Sequence, residues 1–308
     1  MTSMQYARST STYSIPSSSI VEDAIRSTLI YADVFDFPLT VDEIYRYLIG
    51  LDASRNEIKA QLNERLLPGG RVMRRGGYFM LPGRGIIGDR RESREYAAKQ
   101  MQGRAIRFGR WISHLPFIRM VALTGSLAAL NHRSKEDFDY FIITEQGYLW
   151  LARGFILLLN RFVSNGRSNL CPNYLISENN LALAERDLYT AQELVRMILI
   201  SGGETYARLR DENRWADKFL PNASGPPQAP LRSNSRRKPL QILLEPLLKS
   251  PIGRRMEAWE MQRKIAKLSE LDNFGDEVGL SADQCKGHFD GHRARTMEAY
   301  AKKLADYV

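Results

Sequence analysis

Apolar residues recur every three or four positions early in the chain and in short continuous runs further on. That change of period predicts a helical N-terminal unit followed by a sheet. Val21, Ile25 and Leu29 stand four apart within residues 20–31 and form one apolar helical face. Thr40-Val41-Asp42-Glu43 and Ser54-Arg55-Asn56-Glu57 each place a hydroxyl three residues before a carboxylate, the capping box that opens a helix. The helices they open would bury Ile44 and Leu48 in one case, and Ile58, Leu62 and Leu66 in the other. Val72-Met73-Arg74-Arg75 and Tyr78-Phe79-Met80-Leu81 flank Gly76-Gly77, which reads as two strands joined by a tight turn. Three short helices and then a hairpin is the order of a winged helix-turn-helix, assigned to residues 20–84.

Residues 89–113 carry a long helical pattern with Ala97, Met101, Ala105, Phe108 and Ile112 inward. Arg90, Arg91, Arg94, Arg104, Arg107 and Arg110 fall on its other faces and read as a solvated surface. The apolar runs at 120–123 and 138–143 predict buried strands, with a helix over 148–163 and a third strand over 170–177. Residues 185–219 read as mostly helical, and two more helices are expected near 254–271 and 291–307. The Pro/Ser/Asn-rich stretch 222–239 reads as a linker. The expected organisation is therefore a disordered tail (1–19), the winged helix, an α/β unit (85–184) and a helical C-terminal region (185–308).

The chemistry gathers where the first buried strand ends. Met120-Val121-Ala122-Leu123-Thr124 leads into Gly125-Ser126, a turn whose N–H groups can face a phosphate without a Cβ in the way. A loop follows, and then Asp137-Phe138-Asp139, whose two carboxylates share one face of the next strand. Paired carboxylates of this kind can hold Mg²⁺ against a triphosphate. Thr124-Gly125-Ser126, the loop over 127–136 and Asp137-Phe138-Asp139-Tyr140 together resemble the signature of the polymerase-β-type nucleotidyltransferase superfamily. The resemblance implies an α/β (α+β) nucleotidyltransferase fold with a mixed sheet, here flanked by the winged helix and the helical C-terminal region. It implies Mg²⁺ or Mn²⁺ on Asp137 and Asp139, a nucleoside triphosphate on Thr124, Gly125 and Ser126, and transfer of a nucleoside monophosphate. The acceptor, whether small molecule, protein or RNA, is left open.

One position departs from that pattern. Asn173 stands on the third strand where a further catalytic acid is expected. An amide oxygen ligates Mg²⁺ weakly and cannot act as a general base. Glu178, at the far end of that strand, is a poorly placed substitute. Near the C-terminus, Cys285-Lys286-Gly287-His288-Phe289-Asp290-Gly291-His292-Arg293 offers Lys286 and Arg293 as charge clamps for the triphosphate. The same segment also reads as a plain helix cap, and its histidines lack the ligands of a zinc site. Three functions follow: an active nucleotidyltransferase, a catalytically degenerate nucleotide-binding sensor or scaffold, and a winged-helix DNA-binding regulator.

Composition adjusts this picture little. A net charge of +9 over 308 residues favours a polyanionic partner such as nucleotide phosphate or nucleic acid. DNA is admitted but not favoured, because Glu57 and Glu64 offset Arg55, Lys59 and Arg65 on the third helix. Two cysteines, Cys171 and Cys285, argue against a disulfide framework and for a cytoplasmic protein. No membrane partner is expected: the greasiest stretch, 149–163, is too short for a bilayer and contains Arg153 and Arg161.

Overall fold

The computed structural model describes residues 18–131, 138–163, 170–223, 238–269, 279–286 and 291–307. Its N-terminal unit begins with α1 (Ser18–Asp33), and residues 1–17 of the expected tail lie outside the described residues. α2 (Val41–Arg46) and α3 (Arg55–Gln61) each start at a capping box read from the sequence. Thr40 Oγ1 accepts the Glu43 N–H at 3.2 Å while Glu43 accepts the Thr40 N–H at 2.8 Å. α3 continues into a π turn, Leu62–Leu66, and the stripe Ile58, Leu62, Leu66 is fully buried. The hairpin of β1 (Met73–Arg75) and β2 (Tyr78–Met80) follows, with Leu39 bridging to Phe79. The helices and hairpin thus occur in the expected order.

Several cations of this unit have carboxylate partners within the protein. Arg65 and Arg71 both reach Glu22, at 3.1 and 3.3 Å, Arg55 pairs with Asp42, and Arg75 with Asp89 at 2.5 Å. Duplex DNA should therefore bind without site preference, and only at low salt, because few counterion-releasing contacts remain. Selection on random duplexes would check this; enrichment of a defined motif is the opposing result.

α4 (Gly85–Ile112) carries the chain from the hairpin to the sheet. Ala105, Phe108 and Ile112 face inward as expected, but Ala97 is exposed and Ala98 takes the buried position. The expectation of a wholly solvated arginine face also fails at Arg91, which is 2% exposed. Its guanidinium lies 4.1 Å from the Phe37 ring centroid, pairs with Glu43 at 2.8 Å and Glu95 at 3.2 Å, and donates to the Leu130 carbonyl.

The sheet elements run β3 (Ile118–Leu123), α5 (Gly125–Ala128), β4 (Phe138–Thr144), α6 (Leu149–Val163) and β5 (Leu170–Ser177). They continue with α7 (Leu188–Arg196), β6 (Ile198–Ser201), α8 (Gly203–Glu212), α9 (Ala216–Phe219), α10 (Pro239–Leu248) and α11 (Pro251–Ser269). β7 (Gly279–Leu280), β8 (Gln284–Lys286) and α12 (His292–Tyr307) close the chain. Six strands lie in the order β6-β3-β4-β5-β8-β7; β4 and β5 are parallel and the other neighbours antiparallel. The protein is thus mixed α/β with a mixed sheet.

Residues 185–308 are not only helical, because they return to this sheet at both edges. Ile198-Leu199-Ile200 adds beside β3, and β8 adds beside β5 with Lys286 opposite Tyr174. Of the expected linker, 224–237 lie outside the described residues, and Pro239 already begins α10. Side chains alternate across β4: Phe141 and Ile143 join the core under α7 and the N-terminal unit, while Tyr140 and Ile142 join the core under α4 and α6. α12 ties the C-terminus back to α1, where Tyr300 packs edge-on to Tyr31 and Lys303 pairs with Asp33 at 2.6 Å. Among the described residues no helix is long and apolar enough to cross a membrane.

Candidate functional site

The turn after β3 is built around Gly125. Its φ of +69° is a backbone conformation that L side chains rarely adopt, and a Cβ there would come within 2.6 Å of Asp139 Oδ2. Only glycine lets the Asp139 carboxylate press against the turn. The Thr124 N–H donates to the Asp139 carbonyl at 2.9 Å, which fixes the register of turn and carboxylate. Asp139 lies on the face of β4 that also carries Phe141. Asp137 lies outside the described residues.

That face, through Phe141, borders a partly open cleft between the sheet and α7. Thr124, Phe141 and Tyr174 line it from the sheet, Tyr189, Thr190 and Glu193 from α7, and Lys286 and Arg293 from β8 and the start of α12. Three residues assigned from sequence to nucleotide binding, Thr124, Lys286 and Arg293, thus meet in one cavity. Each cation has an internal carboxylate: Lys286 Nζ is 2.5 Å from Glu185, 101 positions away, and Arg293 Nη1 is 2.7 Å from Asp187. Asp187 also caps α7, its other oxygen accepting the Thr190 N–H at 2.9 Å.

Burial raises the cost of ionising Glu185, but the Lys286 ammonium outweighs it and holds the carboxyl below its ordinary range. Burial acts likewise on Asp187 and is outweighed by the Thr190 N–H and the Arg293 guanidinium, with the same net direction. Glu193 goes the other way: desolvation lifts its carboxyl above the ordinary glutamate range, although Arg196 and the Gly125 N–H pull it down. Arg196 is itself held over the Tyr47 ring at 3.8 Å from the centroid. Burial, and then the Glu193 charge, push the Tyr31 hydroxyl up as well.

Sequence reasoning missed Glu193. It lies on a helix rather than on a strand, and its carboxylate accepts from the backbone of the Gly-Ser turn. Asn173 lies in β5, where the ladder against β4 shifts register between Asp139 and Phe141; its side chain is outside the described residues. Glu178 belongs elsewhere, its N–H donating to the Thr144 carbonyl and its side chain 4.0 Å from Arg208. His292 stacks near Phe35 and lies 3.3 Å from the Tyr189 hydroxyl, while His288 lies outside the described residues. Among the described residues no three His, Cys, Asp or Glu side chains form a metal-binding group.

The raised Glu193 carboxyl has a consequence for stability. A carboxylate penalised by burial costs the folded state free energy once pH exceeds its folded pKa, and costs nothing below the unfolded pKa. Glu193→Gln keeps an acceptor for the Gly125 N–H and removes that charge. The variant should melt higher than the parent at mildly alkaline pH, with the gap closing as pH falls through the glutamate range. Parallel thermal melts would show it; a pH-independent gap would mean the carboxyl is not desolvated.

Comparison with models of known protein families, with curated proteins and with solved structures finds no match to this chain.

Proposed function

We propose that the cleft binds a nucleoside triphosphate with Mg²⁺ or Mn²⁺ and that the chain transfers the nucleoside monophosphate to an acceptor. The observation carrying this reading is that Thr124, the residue before the Gly-Ser turn, lines one cavity with Lys286 and Arg293. Asp137 and Asp139 are hard oxygen donors, the type that suits Mg²⁺, and would hold the ion. Once bound, the ion neutralises charge on the phosphates.

The protein's own groups have distinct parts in this reading. Gly125 presents its N–H to a phosphate oxygen, which displaces the Glu193 carboxylate from that N–H. Lys286 and Arg293 exchange Glu185 and Asp187 for phosphate oxygens, so their charge goes to the ligand. Glu193, with its raised proton affinity, is the carboxylate placed to take the proton of an attacking hydroxyl. The N-terminal unit acts as a brace: Asn131, just past the turn helix, donates to the Phe35 carbonyl at 2.9 Å and accepts from Arg94 at 3.2 Å.

A second reading, a nucleotide-binding sensor or scaffold without turnover, draws on the same ion pairs. Both clamps are neutralised by carboxylates of the chain itself, so ligand binding alone would release Glu185 and Asp187 and could report occupancy. Incubating the purified protein with each of the four triphosphates and Mg²⁺ or Mn²⁺, while following pyrophosphate release and mass addition, separates the two. Release that disappears in Asp139→Asn supports transfer. Metal-dependent binding without release, with protein and RNA acceptors present, supports the sensor. Absence of binding rejects both.

A further inference from the structure

The helices α10 and α11 are inside out. On α10 the polar side chains are the buried ones: Gln241 donates to the carbonyls of Ser113, Leu115 and Ile118 at 3.2, 3.1 and 3.1 Å. Glu245, 1% exposed, accepts the Phe117 N–H at 2.8 Å and pairs with Arg119 at 3.0 Å. Glu257 of α11 does the same for the next loop, accepting the N–H groups of Trp150 and Leu151 at 2.8 and 2.6 Å. These contacts satisfy backbone donors and acceptors at the ends of sheet and helix elements, which gives the inward polar face its structural reason.

The outward face has no such reason to be apolar. Leu243 and Leu247 on α10 are 66% and 68% exposed, and Ile252 and Trp259 on α11 are 69% and 62% exposed. Gly253 brings the two helices into backbone contact at Leu248, so these apolar side chains stand on two directly joined helices. Large apolar side chains exposed in this number on two adjoining helices point to an interaction site. Its charge identifies the partner. Within residues 238–269 the acids are Glu245, Glu257 and Glu260, and all three are buried. Arg254, Arg255, Arg263 and Lys267 are exposed. What faces outward on the described helices is mainly aliphatic, aromatic and cationic, with Gln262 exposed among them and Arg263 paired to Glu260 at 2.6 Å.

We propose that the α10–α11 corner docks the protein on an anionic phospholipid surface, with Leu243, Leu247, Ile252 and Trp259 in the headgroup–acyl boundary and the arginines on lipid phosphates. Apolar residues flanked by cations without exposed acids are the composition of a helix lying in a bilayer interface. Nucleic acid would satisfy the arginines but leave the aliphatic side chains unpartnered. A second copy meeting this face symmetrically would set arginine against arginine. The expectation of no membrane partner rests on the lack of a spanning segment; among the described residues no helix spans, but such a corner lies in the membrane plane. The inference is independent of the nucleotide site.

The test is co-sedimentation of the full chain with phosphatidylcholine vesicles, with and without phosphatidylglycerol. Binding should require phosphatidylglycerol, and Trp259 should be quenched by brominated acyl chains, a signal lost in Trp259→Phe. Leu243→Glu/Leu247→Glu should abolish binding without shifting the melting temperature, since both side chains point into solvent. Arg254→Ala/Arg255→Ala should lower partitioning roughly thirtyfold, about a kcal/mol per lost cation. Failure to bind anionic vesicles would overturn the proposal. So would binding that ignores the leucine pair, or sedimentation showing a dimer that the leucine variant dissociates.

Discussion

Asp139→Asn should lower the affinity for a metal–triphosphate complex by about a hundredfold or more while leaving the protein folded. The carboxylate rests against the Cα of Gly125 with no Cβ between them, so any cation it holds is brought to the turn proposed to bind phosphate. Asn keeps the size of the side chain but removes the charge that makes a hard-oxygen site attractive to Mg²⁺. Calorimetric titration with each triphosphate, with and without Mg²⁺, would measure the change. Unchanged metal-dependent affinity would end the nucleotidyltransferase reading. Gly125→Ala is the complementary probe. It leaves the carboxylate in place but forces a Cβ against Asp139 at a positive φ, at a cost of about 1–3 kcal/mol in backbone strain alone. Losing the same binding in both variants would place metal and phosphate at one point. Losing it only in Asp139→Asn would separate them.

The strands that carry this site were legible because they are continuous apolar runs: β4 and β5 fall at 138–144 and 170–177, where the residue pattern put them. The capping boxes fixed the starts of α2 and α3 for the equally local reason that hydroxyl and carboxylate are three residues apart. β6 was not legible. Ile198-Leu199-Ile200-Ser201 follows a helix with no Gly or Pro in between and reads as its continuation, until pairing with β3 makes it a strand. β7 and β8, of two and three residues, are too short to show a period, and the edge of β5 gives them their conformation. Lys286 and Arg293 stood out as cations at a Gly-flanked helix start, but their carboxylate partners on the segment before α7 are a product of the chain path. Glu193 gave no signal, because its link to Gly125 exists only once α7 crosses the sheet.

Arg91 shows most clearly how far local pattern can mislead, and its replacement should have the largest effect on stability. In sequence it is one of several arginines along α4; in the structure it is almost completely buried, its guanidinium over Phe37 and 5.5 Å from the centroid of Tyr78. Nη2 pairs with Glu43, whose other oxygen closes the capping box of α2, and Nη1 donates to Leu130 just past the Gly-Ser helix. One side chain therefore joins the N-terminal unit, α4 and the loop behind the candidate site. Arg91→Ala removes the cation paired with Glu43, leaves Glu95 paired with Lys99 and opens an empty volume, and should cost about 3 kcal/mol. Arg91→Lys should recover only part of this, since one ammonium cannot reach Glu43 and Leu130 in the same fork geometry or stack flat on Phe37. Denaturant titration of the three proteins gives the comparison. If the N-terminal unit braces the site, the lysine variant should also bind triphosphate more weakly under conditions where it is fully folded. Unaltered binding there would limit Arg91 to holding the units together, with no part in positioning the turn.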